Sequence, residues 1–227
     1  MERGKLISLE GIDGVGKTSC ATLLCEKLSS KTKCVYINRK SIPTSNEYIQ
    51  QHMEYLYAIM WGKGKVFSKA PNIEYNGLNR KHWLHLMIAW YSAFEQHMLL
   101  PILEKGVSVV TDGYIYKEIA KAIYSSGDFD TENEFDFLVK PDIVFYLTAS
   151  PKDCIRNDSN INRIESGAFV GEQSDFISHQ TKMKLIYDKL AKDKNWITII
   201  RNRDVNITCN DIIKSYDHFL SLGVSKQ

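Results

Sequence analysis

The residues best suited to chemistry stand together near the start of the chain, in the run Gly11-Ile12-Asp13-Gly14-Val15-Gly16-Lys17-Thr18. The run fits G-x-x-x-x-G-K-[ST], a spacing that builds a cradle for phosphate groups. Glycines let successive backbone N–H groups converge on one point, and a helix that begins there adds its positive end. Gly11, Gly14, Val15, Gly16, Lys17, Thr18 and Ser19 are therefore the expected contacts to a nucleoside triphosphate. Lys17 brings a point charge to the terminal phosphates, and the Thr18 hydroxyl suits a magnesium ion. One further carboxylate fits this chemistry. Asp112 closes the apolar run Val107-Ser108-Val109-Val110-Thr111, and in open parallel sheets the ligand crevice lies outside such strand ends. Asp112 is expected to share the metal with Thr18, so a nucleoside triphosphate and Mg2+ are the ligands these residues predict.

The elements needed to hold these groups are legible on either side. Leu6-Ile7-Ser8-Leu9 is a short apolar strand candidate before the glycines, and Ser19 to Leu28 has the pattern of a helix after them. Cys34 to Asn38, Val107 to Asp112, Ile143 to Leu147 and Trp196 to Ile200 are four more short runs, as parallel strands covered on both faces require. Glu47 to Trp61, Lys81 to Leu103, Tyr114 to Tyr124, Phe176 to Lys192 and Asp211 to Leu222 read as helices. Ser150-Pro151 marks a helix start, with serine as cap and proline in the first turn. Alternating strands and helices predict a three-layer α/β domain: a five-stranded parallel sheet with helices on both faces. Gly62 to Asn79 is too long for a plain connector, and Arg156 to Gly171 is polar and punctuated by glycine. Asp128 to Glu134 is acidic and is expected to be a solvated loop.

The 227 residues carry a formal net charge of +2, with 44% hydrophobic and 25% charged residues. These are the values of an ordinary globular domain that can bury an ample core. Basic residues are spread along the chain, so nucleic acid is not an expected partner. Cys20, Cys25, Cys34, Cys154 and Cys209 form no C-x-x-C pair. That argues against zinc and against a disulfide framework, and for reduced thiols in a cytoplasmic protein. No secretory pattern precedes the first strand and no apolar run approaches membrane-spanning length, so a membrane is not an expected partner either.

With these pieces placed, the chain resembles the thymidylate kinase family over most of its length. Ser8-Leu9-Glu10-Gly11-Ile12-Asp13-Gly14-Val15-Gly16-Lys17-Thr18 is similar to that family's F-E-G-L-D-G-x-G-K-T-T. Lys140-Pro141-Asp142-Ile143-Val144-Phe145-Tyr146-Leu147 resembles its P-D-L-x-x-x-L strand. Asn162-Arg163-Ile164-Glu165, then Phe176 and Tyr187 to Ala191, resemble its lid signature D-R-[FI]-E, F and Y-x-x-L-A. The resemblance implies one P-loop NTPase domain over residues 1–227, nucleoside monophosphate kinase-like, with an acceptor-side insertion at 39–80 and a lid at 154–172. It implies that Mg-ATP is the donor and a nucleoside monophosphate such as thymidylate the acceptor. It also assigns roles. Lys17 neutralises the transferred group, Asp112 organises metal and acceptor, and Asp13 meets a 3′-hydroxyl of the acceptor's sugar. Because Gly14 follows that aspartate, Arg156 and Arg163 of the lid are the expected catalytic arginines. A homodimer is implied too, with the aromatic helix Lys81 to Leu103 as a plausible face.

The departures fall on the acceptor side. The family's D-R-[YF] is here Asp112-Gly113-Tyr114, so its phosphate-holding arginine is absent. The helix that carries S-A-N-R-W-E reads Trp90-Tyr91-Ser92-Ala93-Phe94-Glu95, and the segment after the second strand reads Arg39-Lys40-Ser41-Ile42-Pro43. Asp158 stands where a lid arginine is common. Losing an arginine clamp is not a conservative change for phosphate binding. Three explanations stay open: Lys117 or Lys121 supplies the charge, Arg39 or Lys40 does so from the other wall, or the acceptor differs from thymidylate. Asp13, Arg39, Trp90, Tyr114 and Lys117 are the expected acceptor contacts. Two rival functions remain: a kinase for another nucleotide, nucleoside or metabolite, and a nucleotide-binding protein without catalysis. Retention of Lys17, Thr18 and Asp112 argues against the second.

Overall fold

The computed structural model describes residues 2–40, 46–61, 80–155 and 173–224. Its centre is strand β1 (Leu6–Glu10), every residue of which is buried. Around it runs a wholly parallel sheet in the order β2-β3-β1-β4-β5, with β2 at Cys34–Tyr36, β3 at Ser108–Thr111, β4 at Ile143–Thr148 and β5 at Ile197–Ile200. Central strands buried on both faces need mostly apolar side chains, which is why β1, β3 and β4 are legible as short, mainly apolar runs. Asp142, just before β4, ties the strand's start to β1 by accepting the Leu6 N–H at 2.6 Å, and it pairs with Arg3 at 3.1 Å.

Helices cover both faces. Helix α1 (Lys17–Ser29) packs on α7 (Val205–Val224) over one side. On the other side α5 (Ile115–Ser126) packs on α6 (Gln173–Asp193), and α3 (Arg80–Phe94) packs on α5 and on α2 (Glu47–Trp61). The three layers and five parallel strands agree with the sequence expectation. The long helix expected over 81–103 is interrupted. It runs as α3, then a π-turn at Glu95–Leu99, then α4 (Leu100–Glu104). Pro101 explains part of this, since it has no N–H to return to the carbonyl four residues earlier.

Other boundaries differ for local reasons. Helix α7 starts at Val205 rather than Asp211, because Asp204 accepts the Asn206 N–H at 2.8 Å and so caps the helix. The expected solvated loop at 128–134 is instead a 3-10 helix at Phe129–Phe135, with Phe135 buried and Glu132 paired to Lys194. The turn after Ser150 is only a four-residue 3-10 helix, and the serine side chain does not cap it. All five cysteines are free, and no helix among the described residues is long and apolar enough to cross a membrane. Most of the expected insertion (41–45 and 62–79), and the expected lid beyond Ile155, lie outside the described residues.

The aromatic stripe of α3 turns inward. Trp90 is 0% exposed, stacks on Phe94 at 5.0 Å and meets Tyr91 and Trp61 edge-on. It belongs to the core, which corrects its assignment as an acceptor wall, and the buried Tyr91, Phe94 and Met98 likewise do not form an outer face for a partner. Among the described residues the Trp90 indole N–H has no partner, so Trp90→Phe loses bulk but no hydrogen bond. That change is expected to cost about 1–2 kcal/mol, below the range for full truncation to alanine. Thermal melts check the cost, and acceptor affinity should stay within about twofold of wild type if Trp90 is core alone.

Candidate active site

The site is built where β1 ends. Gly16 caps α1 in a left-handed conformation (φ 97°) with no side-chain capping bond, so the first N–H groups of the helix are left for a ligand. Gly14 is required by both its φ of +79° and its surroundings: a Cβ there would stand 2.1 Å from the Cys154 carbonyl oxygen. No arginine can occupy that place without rebuilding the loop. Lys17 is 8% exposed and folds back over the cradle, donating to the carbonyls of Gly11 at 2.7 Å and Ile12 at 2.8 Å. Burial, reinforced by the nearby Lys117 and only partly offset by Asp13, brings its pKa down to about 8.

Asp112 follows β3, the neighbour of β1, so the sheet sets it beside the loop. The Thr18 hydroxyl donates to its Oδ2 at 2.5 Å. A hydroxyl and a carboxylate oxygen at one point are the donors that a small hard cation takes when phosphates supply the rest of its shell.

Asp13 faces a crowd of cations. Lys117, on α5, donates to its Oδ1 at 2.6 Å, and Lys17 stands 3.9 Å from the same oxygen. Burial acts to raise the pKa of Asp13, but these two ammonium groups outweigh it and hold the carboxyl far below the usual range. The Asp13 backbone N–H donates to Gln180 on α6 at 3.0 Å, which ties the loop to that helix. Arg39 stands after β2, its guanidinium 5.1 Å over the Trp61 ring and 3.6 Å from Glu118.

Thus the structure brings together Asp13, Lys17, Thr18, Asp112 and Lys117. It withdraws Tyr114, whose side chain is 1% exposed and whose hydroxyl donates to Glu95 at 3.4 Å. Only the backbone of Tyr114 reaches the loop's foundation, through a 2.9 Å bond from its N–H to Glu10. Arg156 and Arg163 lie outside the described residues.

Several site residues were not singled out from sequence. Glu10 is fully buried and accepts from both the Ser8 hydroxyl (2.6 Å) and the Tyr114 N–H, joining the end of β1 to the start of α5. Burial raises its pKa. Glu118 and Gln180 are the others. The available signal for Glu10 and Glu118 was a charged residue inside an apolar pattern, which is expensive unless partnered.

The thymidylate kinase family model matches residues 64–212, more than half of the chain and beginning after the phosphate loop. The chain is 29% identical to a probable thymidylate kinase 2 of Saccharolobus solfataricus, over 94% of this chain and 97% of that protein. It is 26% identical to a thymidylate kinase of Dictyostelium discoideum, over 96% of this chain and 86% of that one. The crystal structure of thymidylate kinase from Ehrlichia chaffeensis superposes with a TM-score of 0.64 at 19% identity, covering 94% of this chain and 99% of that chain. At such identity the superposition speaks for the fold. The sequence-wide match, joined to a phosphate loop on the central strand and an acid on the neighbouring one, makes the chain a nucleotide kinase that belongs to the thymidylate kinase family.

Proposed function

We propose that this enzyme transfers the γ-phosphoryl group of Mg-ATP to a nucleoside monophosphate, with thymidylate the first acceptor to test. The observation that supports this best is the joint position of Lys17, Thr18 and Asp112 at one crevice, with Thr18 and Asp112 2.5 Å apart. Phosphoryl transfer asks a protein for alignment and charge neutralisation more than for covalent chemistry. Lys17 exchanges its two backbone carbonyls for phosphate oxygens, and the loop N–H groups hold the remainder of the triphosphate. Thr18 and Asp112 hold the magnesium ion, which when bound neutralises phosphate charge. Asp13 contacts the acceptor, and Arg156 and Arg163, carried on a lid at 154–172, act on the transition-state charge. The family resemblance further supports a homodimer, and the free cysteines fit a reducing, cytoplasmic setting.

A second acceptor class is favoured by one observation. Asp13 already accepts Lys117 at 2.6 Å, so an acceptor that offers no 3′-hydroxyl to this carboxylate remains a candidate. An ADP-release assay with Mg-ATP and a panel of nucleosides and nucleoside monophosphates separates the two: stimulation by thymidylate supports the first, and stimulation only by other compounds supports the second.

The charge on Lys17 gives a pH signature. Its ammonium form attracts phosphate, and the form is lost as pH rises through a pKa of about 8. The quantity kcat/KM for ATP reports the free enzyme, so it should fall by about tenfold per pH unit above that value. A profile that stays flat about one and a half units higher contradicts the role given to Lys17.

A further inference from the structure

Beside the phosphate loop, under the C-terminal ends of β2 and β3, lies a group of charges that the donor chemistry does not use. Glu118 on α5 is 1% exposed. Lys121, one turn on, stands 3.1 Å from its Oε2, and Arg39, from the segment after β2, stands 3.6 Å from its Oε1. One position before Glu118, Lys117 is bound to Asp13. Arg39, Lys117 and Lys121 therefore share two carboxylates, Asp13 and Glu118. Burial acts to raise the pKa of Glu118, yet Lys121 and Arg39 hold it below its ordinary value, so both carboxylates are ionised and the cations around them, with Lys17 also 3.9 Å from Asp13, outnumber them. Lys121 is pushed down first by burial and then by Lys117 and Arg39, against Glu118.

A surplus cation in a half-buried place is costly until an anion joins it. The side chains of Arg39 and Lys121 remain 33% and 28% exposed, so an anion can reach both. Gly113, which follows β3, carries no side chain to crowd the crevice: a Cβ on it would meet nothing within 4 Å, and its φ of +107° disfavours any side chain. In the sheet β3 lies between β2, which Arg39 follows, and β1, which leads into the phosphate loop. An arginine fork beside an ammonium group suits a phosphate monoester, which offers several oxygens and close to two negative charges.

We propose that Glu118 is a positioning residue that holds Arg39 and Lys121 together as a two-cation clamp for the phosphate of the acceptor. The proposal rests on the reading of the enzyme as a nucleoside monophosphate kinase, and it names residues for one half of that site. Glu118 orients the cations without touching the acceptor. The clamp selects a monophosphate over the parent nucleoside, and it works without an arginine at position 113.

Calorimetric titration of the full chain tests this without requiring turnover. The probes are the monophosphates of thymine, uracil, cytosine, adenine and guanine nucleosides, each against its own nucleoside. Arg39→Ala and Lys121→Ala should each weaken the best-bound monophosphate by about tenfold or more, while affinities for the nucleoside and for ATP stay within about twofold. Glu118→Gln should raise KM for the acceptor with kcat within about threefold, and Glu118→Asp should restore part of the loss. A melting curve shows whether Glu118→Gln folds. Arg39 and Lys121 are partly exposed, so their alanine variants keep the test decisive if it does not. Monophosphate affinity unchanged in both alanine variants overturns the clamp, as does failure of the wild type to prefer any monophosphate over its nucleoside. If a monophosphate binds through Arg39 and Lys121 but is never phosphorylated, the clamp stands and the kinase reaction on that acceptor fails.

Discussion

Lys17→Ala is expected to lower kcat by about 10²–10³-fold, with the KM of the acceptor changed by less than about threefold. The reason lies in what Lys17 does in each state. Without nucleotide its ammonium group rests on the carbonyls of Gly11 and Ile12 and near Asp13. Those contacts exist before any reaction and do nothing for the rate. On the proposed mechanism, charge that develops on the transferred group is met by the same ammonium only along the reaction path, so its loss falls on turnover. Stability should move the other way or not at all. Burial holds the Lys17 pKa down to about 8, so a charged Lys17 at neutral pH opposes folding. That penalty is fully present below about pH 8 and is relieved as the folded protein releases the proton above it, since the unfolded chain keeps the proton to higher pH. A variant with unchanged kcat and a lower melting temperature would show Lys17 to be structural.

Asp112→Ala is expected to lower kcat by about 10²-fold and to raise the magnesium concentration needed for half-maximal rate by about tenfold or more. Asp112 contributes the charged oxygen of the pair, and Thr18 the neutral one. If both serve one ion, Thr18→Val in the Asp112→Ala background should add less than it does alone, because the two act as a unit. A magnesium titration of the four proteins reads this out. Strict additivity, with no shift in magnesium requirement, would separate the two residues and remove the metal from this part of the site.

The phosphate-loop part of this site was legible in the sequence because it is contiguous. Glycines at fixed spacing, a lysine, a threonine and an apolar run before them state the loop and its strand at once, and Asp112 is legible from its place at a strand tip. The surroundings of Asp13 are made by residues brought from far apart. Lys117 reaches Asp13 across 104 positions and Gln180 across 167, and no local pattern encodes such pairs. Glu118 was hidden for a related reason. On a helix with Ile115, Ile119 and Ala122 buried around it, a glutamate passes as surface charge until the fold delivers Arg39 and Lys121 to it. Trp90 and Tyr114 failed in the opposite direction. Aromatic residues at helical spacing serve a core or a ligand platform equally well, and only burial decides between them. Strand positions were legible because buried parallel strands have to be mostly apolar, whereas the start of α7 depended on a cap at Asp204 that the apolar pattern does not carry.

On the proposed reading, a phosphoryl group passes from ATP to a nucleoside monophosphate at the crevice of Lys17, Thr18 and Asp112. Incubation with γ-labelled ATP, magnesium and the panel of nucleoside monophosphates, followed by separation of products, tests it directly. The expected result is label in a nucleoside diphosphate, thymidine diphosphate first among them, and its near-complete loss with Lys17→Ala. Label found only in inorganic phosphate, or in no product of any acceptor, would contradict it.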